Sequence, residues 1–463
     1  MLHNRTVVLD ALKEIFTPGR VRTGVADLEA WGRDWTRNFE AAPSAVVFPE
    51  TVDEVVAVTR LANERGLAVV PSGGRTGLSG GAVASAGEIV VSFDRMNRIL
   101  GFDAVDRIVR CQAGVVTAAL QQYAAARGLF YPVDFASSGS SQVGGNIATN
   151  AGGIRVIRYG LTRDWVAGLK VVTGAGDVLD CNKALVKNAT GYDLRHLFVG
   201  AEGTLGFIVE AEIRLLPPPP PQRVLVLGLP RAADLLPLLE LARRHLVLSA
   251  FEFFSELALA RVTAHRGLQR PFARPAPFYA LIEFDADAEA AALEMYAAAM
   301  DRGWVSDGVV SRSDAQAGAL WALREGITES IAPHTPYKND LAVRISEVPG
   351  FLDEIDRIVA ERYPDFEVCW YGHIGDGNLH LNILKPDELP VDDFYARCHR
   401  ISPALFEAVR SRRGSISAEH GVGLLKRDFL EYSRSPREIE LMRGLKAVFD
   451  PKGVMNPGKL LPG

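Results

Sequence analysis

Five consecutive prolines, Pro217 to Pro221, interrupt the chain near its middle. Each pyrrolidine ring fixes φ and removes an amide donor, so the run can neither continue a helix nor sit inside a sheet. It predicts an extended linker at 217–221 with separately folded bodies on either side. There is chain enough for this: 463 residues, at roughly 100–200 per domain, make two or three domains.

The 48% apolar and 23% charged fractions belong to an ordinary globular protein, which excludes a disordered or collagen-like chain. No stretch reaches the roughly 18 consecutive apolar residues that a membrane-spanning helix needs. The opening MLHNRTVVLDALKEIF reads as an amphipathic helix rather than a secretion signal. Cys111, Cys181, Cys369 and Cys398 show no paired spacing, so free packing thiols in a reducing, cytoplasmic compartment are expected. With 51 basic against 56 acidic side chains and no dense basic block, no footprint for nucleic acid or an anionic membrane is present. A small-molecule ligand is the better expectation.

Before the prolines, β-branched runs alternate with helical segments. Strands are predicted at 45–48, 67–71, 88–93, 108–112, 169–173 and 207–215, and helices at 51–64 and 117–127. Thr51 with Glu54 makes a capping-box pattern that fixes one helix start. Beyond the prolines, strands are expected at 223–229, 278–284, 340–345, 366–371 and 379–384, and helices at 232–245, 286–302 and 350–361. From residue 391 the pattern turns mostly helical. The fold class is α+β, with a first domain at 1–216, a second α+β domain with an antiparallel sheet at 222–390, and a helical segment at 391–463.

Two glycine clusters stand out: PSGGRTGLSGG at 71–81, directly after a predicted strand, and SSGSSQVGGNIATNAGG at 137–153. Glycines let a backbone approach an anion closely, and successive amides with Ser or Thr hydroxyls can face a pyrophosphate. Either cluster alone could be ordinary tight turns; the two together argue against that. Neither is a Walker A loop or a GxGxxG fingerprint, which disfavours the usual mononucleotide and dinucleotide folds. A third loop, KNATGYDLRHLFVGAEGTLG at 187–206, is too irregular for generic turns.

Together these three segments resemble the FAD-binding half of the vanillyl-alcohol oxidase superfamily, over residues 40–216. The resemblance implies FAD extended between two subdomains. Pro71, Gly73, Gly74, Arg75, Thr76, Gly77 and Leu78 would hold the diphosphate. Ser138, Gly144, Asn146, Thr149, Gly152, Gly153, Glu202, Gly206, Ile208 and, in the tail, Asn456 would line the rest. Some members tether the flavin through a histidine in the first loop; Arg75 and Thr76 stand there, so noncovalent FAD is expected.

The second half carries YGHIGDGNLHLN at 371–382 and SAEHGV at 417–422. His373 closes one predicted strand and His380 opens the next, so a hairpin can converge the two imidazoles. Glu419 can complete a three-ligand set. Two imidazoles and a carboxylate leave positions open on Zn²⁺ or another divalent ion, which suits catalysis. Taken singly, each histidine could be structural and Glu419 a helix cap. The spacing is not the HExxH of zinc peptidases. GHIGDGNLHLN and AEHGVG, however, are similar to the signatures of the flavin-dependent D-2-hydroxy acid dehydrogenases. That resemblance implies His373, His380 and Glu419 as metal ligands, His420 as the base and Asn382 as a substrate contact. It also implies hydride transfer from the substrate to flavin N5.

Arg324 and Thr328 fall four apart on a predicted helix, hence on one face, and Lys338 follows in TPYKNDLAVRIS. A guanidinium fork, a hydroxyl and an ammonium suit a second carboxylate, although Arg324 could also belong to a solvated face. The set is similar to that of the subfamily oxidising D-2-hydroxyglutarate to 2-oxoglutarate; D-lactate, glycolate and D-malate stay open as substrates. The family implies an external electron acceptor, an electron-transfer flavoprotein or a quinone-linked carrier, and by analogy a homodimer. Two readings of other classes compete: a flavin-free metal hydrolase, and a noncatalytic nucleotide-binding partner protein.

Overall fold

A computed structural model describes residues 2–462, with side chains from residue 8. The chain forms two compact units. The first comprises Met1–Gly153, Gly160–Pro218 and Glu419–Gly463; the second comprises Ile154–Tyr159 and Pro219–Ala418. The crossing from one to the other at 218/219 lies inside the proline run.

The first unit holds two sheets. One contains β1 (Val21–Arg22), β2 (Ala45–Val47), β3 (Val69–Ser72) and β4 (Ile89–Ser92) in the order β1-β2-β4-β3, with β2 and β3 parallel to β4. The helix Val52–Arg65 makes the crossover, starting where the Thr51 hydroxyl accepts from the Glu54 amide at 3.2 Å and ending at Gly66, φ +63°. The hydroxyl half of the capping box forms. The Glu54 carboxylate instead takes the Glu50 amide at 2.8 Å and both arms of Arg20 at 2.7 Å, a charge-assisted fork that competes better than a bond back to Thr51.

The other sheet contains β5 (Ile99–Asp103), β6 (Ile108–Gln112), β7 (Val166–Thr173), β8 (Val178–Cys181) and β9 (Gly206–Arg214), antiparallel in the order β5-β6-β9-β7-β8. One apolar core serves both sheets and takes in Val454 and Met455 from the tail.

The second unit is built on a seven-stranded antiparallel sheet. Its strands are β10 (Gln222–Leu229), β11 (Leu248–Ser255), β12 (Phe278–Asp285), β13 (Asp307–Val310), β14 (Tyr337–Ala342), β15 (Glu367–His373) and β16 (Asn378–Leu384), in the order β13-β10-β12-β11-β15-β16-β14. Residues 154–159, which follow the second glycine loop, belong here because Arg155 pairs with Glu283 at 2.9 Å and Arg158 reaches Asp285 and Ser249.

Three sequence expectations need correction. The strand placed at 340–345 is β14, which ends at Ala342 because its partner β16 begins at Asn378, the residue opposite. The segment 391–463 is not one body. Its long helix Val391–Ser411 buries Phe394, Cys398, Ile401 and Leu405 within the second unit, and the chain from Glu419 onward belongs to the first. Finally, the helix carrying Arg324 stops at Glu325, and Thr328 lies on the short helix Ile327–Ser330. Gly326 between them keeps right-handed helical angles, so the two side chains stay on one side.

All four cysteines are free and buried. Among the described residues, no helix is long and apolar enough to cross a membrane.

Candidate active site

Successive side chains of a strand point to opposite faces, so a register fixes which residues share a surface. Across β14, β16 and β15, Lys338 stands opposite Asn382, and Asn382 opposite Cys369. Asp340 stands opposite His380, and His380 opposite Tyr371. Ala342 stands opposite Asn378, and Asn378 opposite His373, which in turn faces Glu252 of β11. These rows lie on one face. The structure thus brings His373, His380, Asn382 and Lys338 together on a rigid sheet.

The two imidazoles sit on adjacent rows, with Nε2 atoms 3.4 Å apart. His373 Nδ1 meets Glu252 Oε1 at 2.7 Å, and His380 Nδ1 lies 3.8 Å from Asp340 Oδ1. Glu252 beside His373 Nδ1 favours a proton there, and the Nε2 atoms of the two rings face one another. A tetrahedral ion with metal–nitrogen bonds of about 2.0–2.1 Å would hold its two nitrogens roughly 3.3–3.4 Å apart. The pair, with Glu252 and Asp340 orienting it from behind, fits a divalent cation in donor chemistry and spacing. Asp340 is itself fixed, accepting from Asn378 Nδ2 at 2.8 Å and from the Ala418 amide at 3.1 Å.

Glu419 and His420 open the last segment of the first unit, with Glu419 Oε1 3.6 Å from His420 Nε2. No helix begins there, so Glu419 is not a helix cap. The segment is anchored by Glu202, whose carboxylate accepts from the Val422 and Gly423 amides at 2.7 and 2.8 Å. Burial raises the Glu202 pKa above the ordinary carboxylate value, and the two amides and Lys426 oppose that shift. Leu424 and Leu425 donate to the Ser79 carbonyl, so the residues after His420 lie against the first glycine loop. Asn456 closes the arrangement by donating to the carbonyls of Gly81 at 2.9 Å and Glu202 at 2.7 Å. Glu202 and Asn456, assigned to the cofactor from the sequence, are therefore also the clamps of the loop that carries His420.

The glycine loops are stacked. A side chain at Gly74 would strike Ser140 and Ser141, one at Gly153 the Asp134 carbonyl, and one at Gly206 the Val172 carbonyl. Gly144 would place its Cβ 2.6 Å from that of Ala113. These positions need glycine for protein packing. A side chain at Gly73 would meet Gln142 and the Gly145 backbone, and one at Gly77 Asp34, all at ordinary contact distance, and Gly145 faces open space, so backbone there can approach a bulky ligand. Arg75, at φ +59°, turns back to the Gly73 carbonyl and to Asp94. Pro71 packs beside Gly203. Asn146 donates to Thr117, Thr149 to the Gly145 carbonyl, and Ile208 sits in the core. Ser138 accepts from the Ala118 amide; Thr76 and Leu78 lie in the irregular first loop, and Gly152 in the second. The cradle fits a dinucleotide cofactor: open at its glycine faces, braced behind by protein.

Arg324 is 6% exposed, an unusual depth for a guanidinium. Its Nη2 lies 2.9 Å from Glu252 Oε2, its plane covers the Tyr371 ring at 4.8 Å, and its Nε has no hydrogen-bond acceptor among the described residues. Thr328 shares a hydrogen bond with the Tyr371 hydroxyl at 2.8 Å. Asn382 spends its amide nitrogen on the carbonyls of His380 and Cys369. Lys338 is exposed by surface area, yet protein crowds its ammonium and the lost solvation pushes its pKa down. Glu252, Asp340, Asn378 and Tyr371 were not picked from the sequence. Glu252 did leave a signal there: a lone acid in the aromatic run AFEFF costs heavily unless it has partners.

Comparison with known proteins places the chain in a family. Residues 43–182 match the FAD binding domain family, and residues 218–460 match the family of FAD linked oxidases, C-terminal domain. A D-2-hydroxyglutarate dehydrogenase of Stutzerimonas stutzeri is 58% identical over 98% of this chain and 98% of its own. The mitochondrial D-2-hydroxyglutarate dehydrogenase of Bos taurus is 41% identical over 98% of this chain and 83% of its own. Among solved structures, p-cresol methylhydroxylase superposes with TM-score 0.77 at 15% identity, covering 100% of this chain and 98% of that one, a likeness of fold. The chain belongs to the FAD-linked oxidases, an enzyme with an FAD binding domain followed by the C-terminal domain of that family.

Proposed function

We propose that the protein oxidises D-2-hydroxyglutarate to 2-oxoglutarate with noncovalently bound FAD and a divalent ion, zinc by preference, and passes the electrons to an external carrier such as an electron-transfer flavoprotein or a quinone-linked acceptor. The observation that carries this reading is the sheet face on which two imidazoles stand together and one of them, His373, meets the same carboxylate, Glu252, as the buried guanidinium of Arg324. The names of the similar enzymes support the substrate.

When bound, the flavin supplies the two-electron acceptor and the ion supplies polarisation of the substrate hydroxyl. The protein's own groups do the rest. His373, His380 and Glu419 hold the ion. Arg324 would take the distal carboxylate, with Thr328 adding a hydroxyl and Lys338 a charge. Asn382 stiffens the strand beneath the substrate and offers its amide oxygen. His420, held by the Glu202 clamp, removes the hydroxyl proton as C2 is oxidised. Gly73, Gly77 and Gly145 lie against the cofactor.

The test is anaerobic bleaching of the flavin by a panel of acids, with and without a chelator. D-2-hydroxyglutarate should bleach fastest, L-2-hydroxyglutarate not at all, and chelation should slow the reaction until zinc is restored. Faster bleaching by D-lactate or glycolate would overturn the dicarboxylate assignment. A colourless protein would overturn the flavoenzyme reading in favour of a metal hydrolase, and a yellow one that no acid bleaches would favour a nucleotide-binding partner protein.

A further inference from the structure

Glu252 is 1% exposed in β11, all eight of whose residues are buried. A carboxylate there is tolerated only with partners, and each oxygen has one beside it, a hydrogen bond at Oε1 and an ion-pair contact without hydrogen-bond geometry at Oε2. Oε1 faces His373 Nδ1 at 2.7 Å, and Oε2 faces Arg324 Nη2 at 2.9 Å. The strand register leaves it little freedom, because Glu252 pairs with Leu281 on one side and His373 on the other. A single immobile group therefore touches both the imidazole assigned to the ion and the guanidinium assigned to the substrate's far end.

We infer that Glu252 is a positioning residue that couples cation affinity to recognition of the distal carboxylate; this rests on the function proposed above. Its first oxygen holds the proton of His373 on Nδ1 and so aims the Nε2 lone pair at the ion. Its second fixes the guanidinium over Tyr371. An amide cannot do both. In Glu252→Gln the oxygen can accept from His373 only by turning its NH₂ toward the guanidinium, donor against donor, and the flipped amide meets Nδ1–H with a donor instead. If Glu252 were merely a counter-ion for Arg324, the variant would disturb substrate binding and leave the ion untouched.

The experiment uses FAD-loaded enzyme and zinc itself as the probe, with affinity measured by chelator competition alongside kcat and KM for D-2-hydroxyglutarate and D-lactate. Glu252→Gln should weaken zinc binding by about 10- to 100-fold, as loss of an orienting partner does. It should also raise KM for the dicarboxylate more than for D-lactate, with an unchanged flavin spectrum. Arg324→Met should raise the dicarboxylate KM alone, with zinc affinity within about two-fold of wild type, since it leaves His373's partner in place. Zinc affinity unchanged in Glu252→Gln overturns the inference. So does equal loss in Arg324→Met, which would mark a general loosening. Should Glu252→Gln not fold, Glu252→Asp retains the charge but not the reach; it should lose zinc affinity, and wild-type affinity there overturns the inference equally. A wild-type enzyme that takes up no stoichiometric zinc refutes the proposed function itself. A zinc-binding wild type with an equally zinc-binding Glu252→Gln refutes only the coupling.

Discussion

A guanidinium only 6% exposed, on the same sheet face as the paired imidazoles, is suited to an anionic ligand. Replacing Arg324 by Ala should raise KM for D-2-hydroxyglutarate by about 10- to 100-fold, the worth of a charge-assisted hydrogen bond. It should change KM for D-lactate little; steady-state kinetics on both acids decides, and equal losses would mean that Arg324 does not read the distal group. Lys338 adds a pH dependence. Its pKa lies below the ordinary 10.5 because burial disfavours the charged form. As pH rises through that lowered value the ammonium is lost, and KM for the dicarboxylate should rise while pH is still under 10.5; Lys338→Met should abolish that limb of the profile. The stability linkage runs the other way. Between the lowered value and 10.5 the unfolded chain holds more protons on this residue than the native one, so Lys338's contribution to native stability increases with pH over that window.

At the level of elements, two adjacent glycines separate packing from ligand approach. Gly144→Ala would press a methyl against Ala113, whose Cβ stands 2.6 Å from the new atom. It should cost about 1–3 kcal/mol even without cofactor, as overpacking does. Gly145→Ala meets open space and should leave the melting temperature of the flavin-free protein unchanged while weakening FAD binding, because the methyl would stand where the cofactor approaches. Thermal melts of both forms and FAD titration check the pair. The sequence alone picked Gly144 and passed over Gly145, since a glycine count cannot tell a side chain excluded by Ala113 from one excluded by a ligand. The hairpin of β15 and β16 was legible because two histidines seven apart flank a Gly–Asp–Gly turn, and alternation then put His373, His380 and Asn382 on one face. β11 was not legible: buried on both faces, LSAFEFFS has no alternation to detect, and with it went Glu252. The break at Gly326 was missed for the opposite reason, because helical angles persist through it and the face pattern survives.

For the molecule as a whole, chain order and folding order part company. The first unit takes its last piece from the far end of the sequence, and that piece is internal to its core: Met455 is 0% and Val454 3% exposed, and Met455 bridges to Val69 of β3. Buried Asp450 holds the turn, accepting from the Val454 and Met455 amides at 2.9 Å and from Lys446 at 2.7 Å. Removing the side chains of Val454 and Met455 alone forfeits roughly 2–5 kcal/mol for the larger of them, against a typical total stability of about 5–15 kcal/mol. The loss of Asn456 and of the amides that satisfy Glu202 comes on top. A chain ended after Ala418 retains every strand of the seven-stranded sheet and every backbone bond between its strands. That truncation should bind no FAD, and limited proteolysis should digest residues 1–153 while a fragment spanning 219–418 persists. Retention of FAD by the truncated chain would contradict this account, because the two glycine loops would then be competent without the tail that braces them.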